Sequence, residues 1–250
     1  MANTIEYGQG AVNNTIGWGQ GAKVGSSFSN TLSTRFDGVD DFVDITSTGL
    51  SLGNDWSVSA WINTNDKSLD GAVFRGWFST GGFNTATKFK FSVRSDNGYV
   101  AVWEGNGQVI VGNSNIVDNN WHNVIVTKTA SEISLFVDGT QQSTVSNSET
   151  WSFDDIYLGA GGRSTGVTNA GMWNGAIDEV SVFNTTLSQS DVTAIYNSGV
   201  PASLDTYNPL LWYRMGDSDT FPILTDNGSE GNNGTMTNMT SGNIVSDVPT

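Results

Sequence analysis

Phe89, Phe91 and Val93 alternate with Lys88, Lys90 and Ser92, and after Asp96-Asn97-Gly98 a second alternating run follows, Tyr99-Val100-Ala101-Val102-Trp103. Period-two alternation places one set of side chains on each face of a strand. An Asn-Gly turn between two such runs closes them as a hairpin, because its central residues tolerate positive φ. The same grammar recurs along the chain. Trp56-Ser57-Val58-Ser59-Ala60-Trp61-Ile62 alternates with period two. Phe36-Asp37-Gly38-Val39-Asp40-Asp41-Phe42-Val43-Asp44-Ile45 reads as strand, Asp/Gly turn and strand. Ile133-Ser134-Leu135-Phe136-Val137 ends in an Asp138-Gly139 turn. Chains written this way stack sheet on sheet.

Composition agrees with that reading and narrows the chemistry. The chain has 250 residues, with 30 Gly, nine Trp and twelve Phe, and only 14% of residues are charged. A β-domain of this length can bury a large core without covalent staples. It has no Cys, so disulfides and thiolate metal sites are excluded. His122 is the only histidine, which leaves no cluster for zinc or iron. Net charge is −15, and no basic stripe exists to neutralise phosphates, which argues against nucleic acid and anionic membranes as partners. Met1-Ala2-Asn3-Thr4 has no basic n-region, and no apolar run approaches the ~18 residues of a membrane span. The expectation is a product made in the cytoplasm that stays there or is assembled into something larger.

Three segments follow. Residues 1–30 form a Gly/Asn/Gln-rich arm in which Tyr7-Gly8-Gln9-Gly10-Ala11 recurs as Trp18-Gly19-Gln20-Gly21-Ala22. Such a segment has too few large aliphatics to fold alone. Residues 31–250 read as the sandwich, with 205–250 distinct within it. Helix is scarce. Its best candidate is Ser188–Tyr196, capped by Ser188 with Asp191 at the third position and stopped by Asn197-Ser198-Gly199.

Five motifs in order carry a family resemblance. They are Phe36–Ile45, the Trp121-His122 strand, the Phe136-Val137-Asp138-Gly139 hairpin, Asp155–Gly159, and Trp173–Phe183 followed by Leu187–Asp191. Together they resemble a laminin-G-like domain of the concanavalin A-like lectin/glucanase superfamily. The resemblance implies an all-β fold: a two-sheet antiparallel β-sandwich, a jelly roll, with one short helix after the last strand. It implies binding more than catalysis. In that family a stretch like Leu210–Asp217 plus Asp226–Met236 precedes the "Phe-Asp-Gly" strand, whereas here it follows the domain. The chain therefore looks circularly permuted, or cut after the start of a second repeat. Completion of its own sandwich and exchange with a neighbouring subunit are both open. An unpaired edge carrying Leu210 and Trp212 favours completion. The arm, with Asn13–Trp18, is similar to short repeats in tailed-phage virion proteins.

Candidate site residues come from these readings. Carbohydrate recognition needs aromatic rings for sugar faces and polar groups for hydroxyls, which points to Trp77, Phe78 and Phe83 in a Gly-rich loop, to Trp103 and Trp151, and to Arg163 on the same rim. The resemblance implies one structural Ca²⁺ held by Asp37 and Asp178; Asp40, Asp41 and Asp44 crowd the same hairpin. Catalysis is not expected. The glucanase branch carries Glu-x-Asp-x-x-Glu on one strand, whereas Ala176 and Ser181 stand where its outer acids would be. Adjacent Asp178 and Glu179 on a regular strand point to opposite faces. His122 reads as a structural residue with one hydrogen bond. The expected function is a non-catalytic tailed-phage virion module, decorative or fibre-like, with glycan-binding capacity. The alternative is a carbohydrate-binding module of a bacterial secreted or surface protein. Expected partners are glycans or cell-surface polysaccharide, other virion proteins, and further copies of the chain.

Overall fold

The computed structural model describes residues 28–45, 48–50, 52–66, 74–81, 88–105, 107–161 and 171–250. In chain order its strands are β1 (Ser33–Asp37), β2 (Phe42–Ile45), β3 (Trp56–Asn63), β4 (Phe74–Ser79), β5 (Phe89–Arg94), β6 (Tyr99–Glu104), β7 (Gly107–Asn115) and β8 (Trp121–Lys128). They continue as β9 (Glu132–Val137), β10 (Thr140–Ser146), β11 (Ile156–Leu158), β12 (Asn174–Phe183), β13 (Leu211–Tyr213), β14 (Ile223–Leu224), β15 (Gly234–Thr237) and β16 (Ile244–Val245). Among the described residues one α-helix, α1 (Gln189–Tyr196), lies between β12 and β13.

These strands form two eight-stranded sheets. The first runs β10-β9-β8-β3-β12-β1-β16, with β13 also on β12. The second runs β14-β15-β2-β11-β4-β5-β6-β7. Every described pairing between named strands is antiparallel, as the sandwich reading expects. The alternating residues face each other between the layers: Val58, Ala60 and Ile62 from β3 meet Phe89, Phe91 and Val93 from β5 in one core. Trp56 anchors that core, stacked on Phe89 at 5.4 Å and edge-on to Phe153 at 5.2 Å. Trp151 belongs to the same cluster, 4.7 Å from Phe89 and 2% exposed, which removes it from the surface candidates.

The helix begins as the sequence predicts. The Ser188 side chain accepts from the Asp191 backbone N–H, and the Asp191 carboxylate accepts from Ser188 N–H at 2.9 Å. Asn197, at φ +46°, ends it. Val192 and Ile195 pack with Ile125, Phe136 and Phe183 on the outer face of the first sheet.

The segment after residue 204 pairs with strands of the same chain. β13 pairs with Val180–Val182 of β12, β15 with β2, and β16 with β1. β13 and β1 lie end to end along one edge of β12, because β1 takes the neighbouring positions Asn174–Ile177. The two remote pieces make one broken strand, and its seam falls at Asp178 and Glu179.

Candidate functional site

The β1–β2 turn gathers Asp37, Asp40 and Asp41, with one carboxylate oxygen from each within 4.8 Å of the others. Asp37 Oδ1 accepts from the N–H groups of Val39 at 2.8 Å and Asp40 at 3.2 Å, the Asx geometry that shapes such a turn. Asp41 Oδ2 accepts from Asp37 N–H at 3.1 Å and from Asn243 Nδ2 at 2.8 Å. Burial, then the Asp37 charge, raises the Asp41 carboxyl above its usual range. Asp178 is not part of this group. Register explains the separation: Asp37 pairs with Asn174, and four residues of strand, about 13 Å, separate Asn174 from Asp178. The structure therefore does not bring the expected Asp37/Asp178 pair together; the carboxylates it gathers are those of Asp37, Asp40 and Asp41.

Asp178 instead sits in the seam, with Glu179 beside it. The β3–β12 register shifts between Asp178 and Ser181, and Glu179 adopts φ +47°. That bulge cancels strand alternation. Both acids are buried, at 0% and 3% exposure, rather than pointing to opposite faces. Glu179 accepts from Trp212 Nε1 at 2.5 Å and from Arg214 Nε at 3.0 Å. Burial pushes its carboxyl up to about 7 against the pull of Arg214. Asp178 accepts from Asn30 Nδ2 at 2.7 Å and from Glu179 N–H at 2.8 Å. Burial and then the Glu179 charge hold it well above the usual carboxylate range. The buried Asn30 Oδ1 has no hydrogen-bond partner, which suits a proton on Asp178 as donor.

The sign of this linkage follows directly. Carboxyls raised on folding keep protons that the unfolded chain releases, so stability falls as pH rises between about 4.5 and about 7. An Asp178→Asn variant keeps both hydrogen bonds if the Asn30 amide turns over, and it removes the cost of taking up a proton on folding at pH 7. It is expected to gain about 1–3 kcal/mol at pH 7 and to flatten that slope, read from urea midpoints across pH. A variant less stable than the parent at pH 7 would contradict the protonated Asp178.

The aromatic candidates are redistributed. Trp77 and Phe78 are each 0% exposed and belong to the core, not to a rim. The β4–β5 register shifts between Gly76 and Phe78, so the extra residue lets two consecutive aromatics turn inward. Gly76 permits this, because a Cβ there would stand 2.2 Å from Gly161 Cα. Trp103 is half-buried in β6, opposite Lys90 and Gln108 on the second sheet. Phe83 and Arg163 lie outside the described residues, as do residues 1–27 of the arm.

A different cavity has the composition that recognition of hydroxyls requires. It encloses about 490 Å³ and is lined by Asn63, Asn119, Asn120, Trp121, Tyr196 and Asp247 among others. Trp121 and Tyr196 are both half-buried. Tyr196, at the end of α1, stacks on Trp61 at 5.8 Å. Trp121 opens β8, and its Nε1 donates to Asp247 Oδ1 at 3.2 Å. The loop before β8 is fixed to β3: Asn119, at φ +67°, donates its N–H to Thr64 O, and Asn63 Nδ2 donates to Asn119 O at 3.0 Å. Asn120 N–H donates to Asp118 Oδ1 at 2.9 Å. Sequence reading missed this site because its walls come from four distant segments. The one local signal was Asn119-Asn120 directly before Trp121.

His122 departs from its expected single bond. Nδ1 lies 2.7 Å from Asp138 Oδ2, and Nε2 lies 3.1 Å from Asp118 Oδ1.

Among solved structures, a Bacteroides ovatus ATCC 8483 protein described as a candidate carbohydrate binding protein aligns with TM-score 0.63 and 16% identity, over 89% of this chain and 62% of its own. This chain thus spans less than two thirds of that relative. A heptameric SAP-like pentraxin from Limulus polyphemus aligns with TM-score 0.53 and 13% identity, over 67% of this chain and 82% of its own. The CBM40 of a Ruminococcus gnavus IT-sialidase, solved with α2,3-sialyllactose bound, aligns with TM-score 0.50 and 13% identity, over 68% of this chain and all of its own. These likenesses concern the fold. No curated protein sequence matches the chain. The family model described as concanavalin A-like lectin/glucanases superfamily matches residues 37–193, more than half the chain. The chain therefore belongs to the concanavalin A-like lectin/glucanases superfamily.

Proposed function

We propose that this chain is a non-catalytic carbohydrate-binding module that takes its glycan in the pocket of Trp121 and Tyr196. The pocket itself carries the proposal: two half-buried aromatic residues, three asparagines and one aspartate line one open cavity. Sugars offer an apolar C–H face to rings and hydroxyl edges to amides, and concave sites with a few convergent polar groups suit them. The fold shared with the Bacteroides ovatus protein and with the sialyllactose-bound CBM40 supports the same reading. Against catalysis stands the state of the acids. A retaining glycosidase needs two accessible carboxyls roughly 5.5 Å apart across the scissile bond. Asp178 and Glu179 are sealed, and Glu179 is held by Trp212 and Arg214.

The finer assignment is a virion module of a tailed phage, decorative or fibre-like, bound to other virion proteins and to cell-surface polysaccharide, with further copies of itself as a partner. The repeated Gly-Gln-Gly-Ala phrase and the absence of Cys support it. The second reading, a module of a bacterial secreted or surface protein, is favoured by the likeness to the Bacteroides ovatus protein. A structural Ca²⁺ at the Asp37–Asp41 turn belongs to the proposal in either case.

A glycan array of the purified protein, with calcium and with EDTA, tests this. Some glycan should be retained, and Trp121→Ala should weaken it by about tenfold or more, the usual cost of removing a central aromatic anchor. EDTA should lower thermal stability more than it lowers affinity, because the calcium turn is not part of the pocket wall. An empty array, or full retention by Trp121→Ala, would overturn the assignment.

A further inference from the structure

We infer that His122 is a positioning residue that holds the Asp118–Trp121 wall of this pocket in place and thereby makes glycan binding depend on pH. The inference rests on the carbohydrate reading above. Its ground is the bridge. His122 joins the carboxylate of Asp138, in the β9–β10 turn, to that of Asp118, in the loop that presents Asn119, Asn120 and Trp121. Asp138 is anchored independently, since its Oδ1 accepts from Asn123 N–H at 2.9 Å. Asp118 is the looser partner, with its side chain 44% exposed against 32% for Asp138. Asp118 Oδ1 also accepts the Asn120 N–H, so its position sets that of the Asn120 backbone.

Only the imidazolium can donate to both carboxylates at once. The neutral ring has one N–H. The shorter bond to Asp138 keeps it, which turns a lone pair toward the Asp118 carboxylate. Asp118 is then repelled, and the Asn120 backbone that it holds shifts, while Asn119 and Trp121 stay tied to β3. Burial opposes charge on His122, but the hydrogen bonds and charges of Asp138 and Asp118 outweigh it and raise the ring above its ordinary 6.5. The other titratable groups nearby are the Tyr196 phenol, which feels Asp138, and Asp247, one residue along on Trp121. β3 brings no charge, because His122 pairs there with Ile62. The bound form is therefore the acid form, and affinity declines as pH rises through the His122 titration.

The chain has one histidine, so a single imidazole signal reports its state by NMR. The experiment follows that signal, the Asn120 amide, and affinity for a panel of sialyllactose, N-acetyllactosamine and arabinotriose, between about pH 5 and about pH 9. The expected result is one shared midpoint for all three readouts, with affinity falling roughly 3- to 10-fold on the alkaline side. In His122→Gln, the Asn120 shift and the affinity should both be flat, at the alkaline level of the parent. An Asn120 amide in the parent that ignores the His122 titration would overturn the inference, whether or not the Gln variant folds. Binding that stays constant across that titration would also overturn it and leave the carbohydrate reading intact. An Asn120 amide that titrates in a protein retaining no glycan at any pH would overturn the carbohydrate reading, and the regulation with it.

Discussion

A Trp77→Ala variant is expected to lose roughly 3–5 kcal/mol of stability, the usual cost of emptying a large aromatic site in a core. Trp77 is fully buried, with Phe91 at 5.3 Å and Phe78 at 6.1 Å between ring centres. Its Nε1 is buried without a hydrogen-bond partner, so the loss is one of packing and of apolar burial. Set against a total of about 5–15 kcal/mol, that is roughly a fifth or more of what holds a domain together. Urea denaturation would show it as a lower midpoint with little change in slope. Wherever the variant stays folded, glycan retention should match the parent. A stable variant that no longer binds would return Trp77 to the ligand site and refute the core assignment.

Removing residues 205–250 should abolish cooperative folding altogether. The deletion takes Leu211, Tyr213, Leu224 and Met236 out of the main core. It also strips pairing partners from β12, β2 and β1, leaving unpaired edges in both sheets. The cost of burying so much less apolar surface exceeds any ordinary margin of stability. The expected outcome is a chain without a thermal transition that aggregates on concentration. A truncated protein that melts cooperatively and remains monomeric would mean that these strands are an accessory layer rather than part of the domain.

The alternating runs made most of the architecture legible. Phe89 to Val93 and Tyr99 to Trp103 form the expected hairpin, and the Trp121-His122 strand lies beside Ile133–Val137 in one sheet. Legibility failed where alternation failed. Trp77-Phe78 looked like a surface loop because two adjacent aromatics cannot both be core on a regular strand, and no residue type announces the bulge that admits them. Asp178-Glu179 misled for the same reason in reverse. The pocket escaped because Asn63, Trp121, Tyr196 and Asp247 become neighbours only after three strands and a helix are placed. Its polarity was visible residue by residue, but its convergence was not.

β1 and β16 meet with Ser33 opposite Val245, so the chain enters the first sheet and leaves it at the same corner. Force applied through those two approaches would pull the pair apart one hydrogen bond at a time instead of shearing the bonds together. The corner is therefore the mechanical fuse of the domain. Under tension its two-residue ladder would give way before the aromatic core was loaded, and the lengthening exit segment would carry Asp247 away from Trp121.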